Sequence, residues 1–139
     1  PNPDYAPMVQ RVLAGTDLVL PSAEDLEALF PGLSEADAVA KAFEAGAKTI
    51  AMKKGADGCA YFAPGTQFSI PGNKVEVVDA TGAGDCFCAT FVALTALGTE
   101  PREALVLSNA AAAMSVTKTG PMEGNNALAN VRNFLAETV

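Results

Sequence analysis

Val77-Val78-Asp79-Ala80-Thr81-Gly82-Ala83-Gly84-Asp85 decides how this chain is read, because a β-branched pair runs into a loop of small residues and the loop runs directly into an apolar stretch, Cys86 to Leu97. A strand, a glycine loop and a helix in that order make an anion-binding device. Gly82, Ala83 and Gly84 let backbone N–H groups approach an anion closely, while the helix that follows offers its free first-turn amides and the positive end of its dipole. Asp85 lies within that first turn, where it could accept a proton from a hydroxyl attacking a phosphorus centre. A tight turn with Asp85 complementing the helix dipole is the plainer reading. An acidic residue at each end of Asp79–Asp85 is more than such a turn requires.

Upstream of this loop, Met8, Val9, Val12 and Leu13 recur at helical spacing and lead through Gly15 to Leu18-Val19-Leu20, which reads as a buried strand. Ser22 is followed by Asp25 and Ser34 by Asp37, the spacing of two capped helices. Thr49–Met52 reads as a strand, and Gly55-Ala56-Asp57-Gly58 turns it into Cys59–Phe62 as a hairpin. Gln67–Ile70 and Val75–Val78 are further β-rich runs.

Downstream, Cys86–Leu97 is apolar on nearly every face until Gly98, which predicts a helix needing neighbours on all sides. Pro101 opens the next helix, whose Asn109 precedes four alanines with high helix propensity and little bulk. Leu128, Val131 and Leu135 mark an amphipathic final helix with Asn125 or Asn126 as its cap. Strands alternating with helices favour a three-layer α/β architecture.

Composition narrows the function. A chain of 139 residues, half of them apolar, buries one core and reads as one domain. Its net charge of −7 argues against a nucleic-acid surface, which needs clustered Lys and Arg. With no His, the His-dependent triads and His-containing zinc sites are excluded. Cys59, Cys86 and Cys88 cannot all pair with one another and fit the reduced cytoplasm, and Cys86 and Cys88 diverge on one helix as packing residues. The apolar stretches are interrupted short of a membrane span, so no membrane is expected. Pro1-Asn2-Pro3-Asp4 lacks the features of a secretory signal, and the missing initial Met suggests processing, truncation or further sequence upstream.

The loop resembles the Asp-Thr-x-Gly-Ala-Gly-Asp signature near the C-terminus of ribokinase-like (PfkB) carbohydrate kinases, with Ala80 in place of the usual Thr. The resemblance implies a three-layer ribokinase-like α/β fold, present here as the C-terminal portion of the sheet and its helices. Residues 1–139 would be the ATP-binding and catalytic portion, with the sugar-binding and lid portion lying outside them. That portion alone is expected not to close an active site. The implied activity is transfer of the γ-phosphoryl group of ATP to a hydroxyl of a sugar or sugar derivative. Asp85 would be the base, and Gly82, Ala83 and Gly84 the anion hole.

Further positions follow in the family order. Leu20-Pro21-Ser22-Ala23-Glu24-Asp25 looks like the segment that organises the Mg²⁺ hydration shell, with Ser22 and Asp25 as its matching residues and Asp in place of the commoner Glu. A plain capping box explains the pair equally well. Lys53, Gly55 and Gly58 match a segment beside the ATP phosphates and ribose, although a hairpin turn alone also suits the glycines. Asn109 matches a position lining the adenine pocket, and Val116–Gly124 with Asp79 and Thr81 matches a site for a monovalent cation, K⁺. The implied cofactors are ATP and Mg²⁺, and the implied partners a small-molecule sugar and a second copy in a homodimer.

Relatives with this layout also phosphorylate nucleosides or sugar phosphates, and an inactive nucleotide-binding fragment is the reading from a different class. Asn2 suits a strand-end Asp-x-Asn-x-Arg pattern of keto-sugar-acid kinases, but Asp4 stands where Arg is expected. A Rossmann dehydrogenase is disfavoured, since the glycine loop comes late and its spacing is not Gly-x-Gly-x-x-Gly.

Overall fold

Serine opens two of the helices, as its spacing to aspartate predicts. In the computed structural model, which describes residues 5–121, 123–124 and 127–137, Ser22 caps α2 (Ala23–Leu29) in a complete capping box and Ser34 caps α3 (Glu35–Glu44). Before them lies α1 (Tyr5–Leu13). After them, β1 (Ile50–Lys53) passes through a 3₁₀ turn at Gly55–Asp57 into β2 (Cys59–Ala63), and β3 (Thr66–Ile70) follows. Connections this short join antiparallel neighbours. The sheet order is β1-β2-β3.

The chain divides into two units. The first comprises Pro1–Gly55 and Ala60–Ser69. Its core gathers Leu26 and Leu29 from α2, Val39 from α3, Ile50 and Met52 from β1 and Phe62 from β2. Ile50 and Met52 are fully buried, each stabilising the fold by roughly 1.5–3 kcal/mol relative to an exposed position.

The second unit comprises Ala56–Cys59 and Ile70–Val139. It holds α4 (Ala83–Ala96), α5 (Pro101–Ser115) and α6 (Leu128–Glu137), with α4 packed along α5 and α5 against α6. Phe87 and Phe91 stack one turn apart on α4, their centroids 6.3 Å apart. Leu105 and Val131 close the core from α5 and α6. Pro101 stands in the first turn of α5, as its fixed φ favours. Cys59 is buried against the Leu105 carbonyl, and burial pushes its thiol up to about 12.

Two expectations are corrected. Leu18–Leu20 does not form a strand: Val19 and Ser22 make isolated parallel bridges to Ile50 and Lys53. Pro21, between them, has no N–H to give the ladder, so pairing rests on single bonds such as Lys53 N–H to the Pro21 carbonyl at 2.9 Å. Val75–Val78 has no strand partner among the described residues, and Val77 and Val78 are exposed. The backbone there pairs instead with one carbonyl, that of Val116.

α4 keeps apolar surface exposed, as a helix that needs neighbours on all sides does where the described residues cover only one of them. It buries Phe87, Phe91 and Leu94, while Val92 is 46% and Leu97 83% exposed. The expected cap at Asn125 or Asn126, and the pattern at Asn2 and Asp4, lie outside the described residues. Among the described residues no helix is long and apolar enough to cross a membrane.

Candidate active site

The segment from Asp79 to Asp85 enters α4 through Gly82, the N-cap residue, whose φ of +82° is the left-handed conformation that glycine adopts without strain. A Cβ at that position would stand 2.5 Å from the Pro121 carbonyl oxygen, so backbone lies directly against backbone. No side chain caps the helix. The Ala83 amide makes a long bond of 3.3 Å to the Ala80 carbonyl. Asp85 projects from the first turn and is exposed. An uncapped helix start beside an exposed carboxylate can bind an anion and take up a proton at one place.

A second loop braces the first. Asp79 Oδ1 accepts the Thr81 N–H and Oδ2 accepts the Gly120 N–H, both at 2.9 Å. The Val116 carbonyl accepts the N–H groups of Val78, at 2.8 Å, and Asp79, at 3.1 Å. These bonds bring Asp79, Thr81 and Gly82 together with Val116, Gly120 and Pro121. The Thr81 side chain, then the Thr81 and Gly120 amides, hold the Asp79 carboxyl below its usual value, since each bond favours the charged form.

The nucleotide-side expectations fall partly in the same unit. Gly58, with φ of +99°, lies so close to the next segment that a Cβ would stand 2.1 Å from the Ile70 carbonyl oxygen and 2.6 Å from the Gly72 amide nitrogen. Asn109, buried on α5, donates from Nδ2 to the Pro71 carbonyl at 2.8 Å. Asn109 and Pro71 line a cavity of about 380 Å³ whose apolar wall adds Ile70, Val106 and Leu135, with Asn73, Lys74 and Asn109 as polar groups. Apolar walls with a few polar groups suit a flat heteroaromatic ring.

Ser22, Asp25, Lys53 and Gly55 belong to the first unit. Asp25 Oδ2 accepts the Ser22 N–H at 2.7 Å, and Ser22 Oγ accepts the Asp25 N–H at 3.1 Å. The Ser22 amide is the main reason the Asp25 carboxyl lies below its usual value, and Lys53 adds a smaller Coulombic pull. Lys53 Nζ donates to the Leu20 carbonyl at 2.5 Å. Gly55 opens the 3₁₀ turn at φ +56°.

Among the described residues no three His, Cys, Asp or Glu side chains cluster as direct metal ligands. Asp25 fits Mg²⁺ as a single carboxylate acting through the ion's retained waters, the way this reluctantly dehydrated ion is commonly held. Pro71 and Gly72 lie outside the segments singled out in the sequence, whereas Gly120 and Pro121 fall within the expected Val116–Gly124 loop. Pro71-Gly72 and Gly120-Pro121 are turn dipeptides readable in the sequence, but their partners at Gly58, Asn109 and Gly82 are not.

Comparison with known proteins bears on the family and the fold. The model of the pfkB family of carbohydrate kinases matches residues 1–128. The chain is 35% identical over 125 residues to a 2-dehydro-3-deoxygluconokinase of Thermoproteus tenax, covering 87% of this chain and 38% of that protein. It is 34% identical over 124 residues to the ribokinase of Bacillus subtilis, covering 88% of this chain and 41% of that one. Among solved structures, an Escherichia coli chain provisionally called ribokinase II, in complex with ATP and Mg²⁺, superimposes with a TM-score of 0.90. That pair is 36% identical over 97% of this chain and 44% of the other. The chain thus spans less than half the length of these relatives, and its fold is that of the corresponding part of a ribokinase-like structure.

Proposed function

The chain belongs to the pfkB family of carbohydrate kinases, and from that premise we propose that residues 1–139 form the C-terminal ATP-binding and catalytic portion of a sugar kinase. The enzyme moves the γ-phosphoryl group of ATP to a hydroxyl of a sugar or sugar derivative. One observation carries the reading: Asp85 stands exposed in the first turn of a helix that begins at a left-handed glycine and has no side-chain cap.

In this reaction the Asp85 carboxylate takes the proton of the acceptor hydroxyl as its oxygen attacks the γ-phosphorus. The bond from that phosphorus to the β–γ bridging oxygen breaks, and ADP leaves. First-turn amides at Gly82, Ala83 and Gly84 hold the charge that spreads over the equatorial oxygens. Mg²⁺, bound with the nucleotide, supplies positive charge that offsets the phosphates. Ser22 and Asp25 are assigned to its water shell, Asp79 and Thr81 to a monovalent cation, K⁺. Lys53, Gly55 and Gly58 are assigned to the phosphates and ribose, and the cavity beside Asn109 to the adenine. The acceptor class follows the relatives, whose names cover ribose, fructose and a keto-deoxy sugar acid.

The test follows ADP release by the full-length protein carrying this chain, with ATP, Mg²⁺ and a panel of ribose, fructose and 2-dehydro-3-deoxygluconate. Release that depends on at least one sugar supports the reading. ATP binding without turnover on any sugar, nucleoside or sugar phosphate would favour the inactive nucleotide-binding alternative.

A further inference from the structure

The first unit carries two surfaces that complement each other, one on α1 and one between α2 and α3. α1 presents Met8, 49% exposed, and Val12, 62% exposed. Arg11 lies beside them, because positions i, i+3 and i+4 share one stripe of a helix. It is the one charged residue of α1, is exposed, and has no ion pair among the described residues. An apolar stripe with an unpaired cation calls for an apolar, acidic partner. The groove between α2 and α3 has that chemistry. A cavity of about 520 Å³ opens there over the buried side chains of Leu26, Ala38 and Met52, with exposed Leu33 also lining it. Its charged lining is Glu24, Glu27 and Glu35, and no basic residue lines it among the described residues. Lys54 engages Glu35 at 2.8 Å and Glu27 accepts the Gly32 N–H at 3.2 Å, whereas Glu24 is exposed with no ion pair among the described residues.

We propose that the α2–α3 groove receives α1 of a second copy of this chain: Met8 and Val12 enter the apolar cavity, and Arg11 pairs with Glu24 and Glu27 at its rim. A ridge of side chains laid into the groove between others is the ordinary way that helices pack. The apolar side chains supply the burial, and the charges select the partner and the direction in which α1 lies. Each copy carries both halves of the contact, so a pair related by a two-fold axis makes it twice and closes. None of these residues is assigned to nucleotide, metal ion or sugar, so the contact stands or falls apart from the kinase reading.

The experiment mixes two forms of the full-length protein, one carrying Val12→Cys and the other Leu33→Cys, and treats them with a short bismaleimide. A two-chain species joining positions 12 and 33 should form in the mixture, be mapped by peptide mass spectrometry, and exceed what the parent's own cysteines give. Arg11→Glu added to the first form should cut its yield about threefold or more, and so should Glu24→Arg with Glu27→Arg added to the second. Combining the two reversals should restore the yield.

Absence of a link between positions 12 and 33 in the mixture would overturn the proposal. So would a link from position 12 to another segment of its own chain, which would make that segment the occupant of the stripe. A yield indifferent to both charge reversals would overturn it as well. If Val12→Cys does not fold by circular dichroism, Met8→Cys takes its place and decides by the same criteria.

Discussion

Asn109 and Pro71, 38 residues apart, are joined by one hydrogen bond from the Asn109 side-chain amide to the Pro71 carbonyl at 2.8 Å. The residue expected to line an adenine pocket thus spends its donor on the wall of that pocket. Asn109→Leu keeps the bulk and removes the bond. It should raise the KM for ATP about five- to tenfold with kcat within a few-fold, since a net hydrogen bond contributes on the order of 1 kcal/mol. Steady-state kinetics against ATP checks this, and an unchanged KM would take the cavity out of the nucleotide site.

Asp85→Asn preserves shape but cannot accept a proton. In the full-length enzyme it should retain ATP affinity by calorimetry and lose about 10²–10⁴ in turnover. A variant turning over within a few-fold of the parent would remove Asp85 from the role of base.

Gly82→Ala places a Cβ 2.5 Å from the Pro121 carbonyl oxygen at a backbone φ of +82°. Strain of this kind costs about 1–3 kcal/mol. The variant should unfold at lower denaturant and show impaired turnover, both read from urea titration and an ADP-release assay. Unaltered stability would mean the two loops part easily.

Asp25→Ala breaks the capping box of α2 and should cost about 0.5–2 kcal/mol near neutral pH. The folded-state carboxyl lies below 3.8, so its contribution is fully present above that value and is lost as pH falls through the lowered folded one. Parent and variant should therefore differ in urea midpoint at pH 7 and converge in acid below 3.8. A gap that persists there would assign the effect to something other than the charged cap.

Much of this molecule was legible in the sequence because its signals are local. Ser22 with Asp25, Ser34 with Asp37, Pro101 at a helix start and Gly98 after a helix end each act within one turn of chain, and each appears where its spacing puts it. The Asp79–Asp85 run likewise forms the turn into α4 that its glycines predict. The failures are all questions of partnership. Val75–Val78 has the composition of a strand, but a strand exists only beside another, and its neighbour is a single carbonyl. Leu18–Leu20 has a neighbour, yet Pro21 limits the ladder to separate bridges. Asn109 gives no hint in the sequence that its partner is Pro71.

The burial of Cys59 also bears on how the protein ages. Only the thiolate reacts readily, and a buried thiol held at about 12 supplies almost none near neutral pH. Cys86 and Cys88, half-buried on α4, follow directly after Asp85 in the chain. Air oxidation or a maleimide will therefore reach the helix that carries Asp85 before it reaches the start of β2. A stored sample can thus be modified beside Asp85 while its circular dichroism spectrum stays intact.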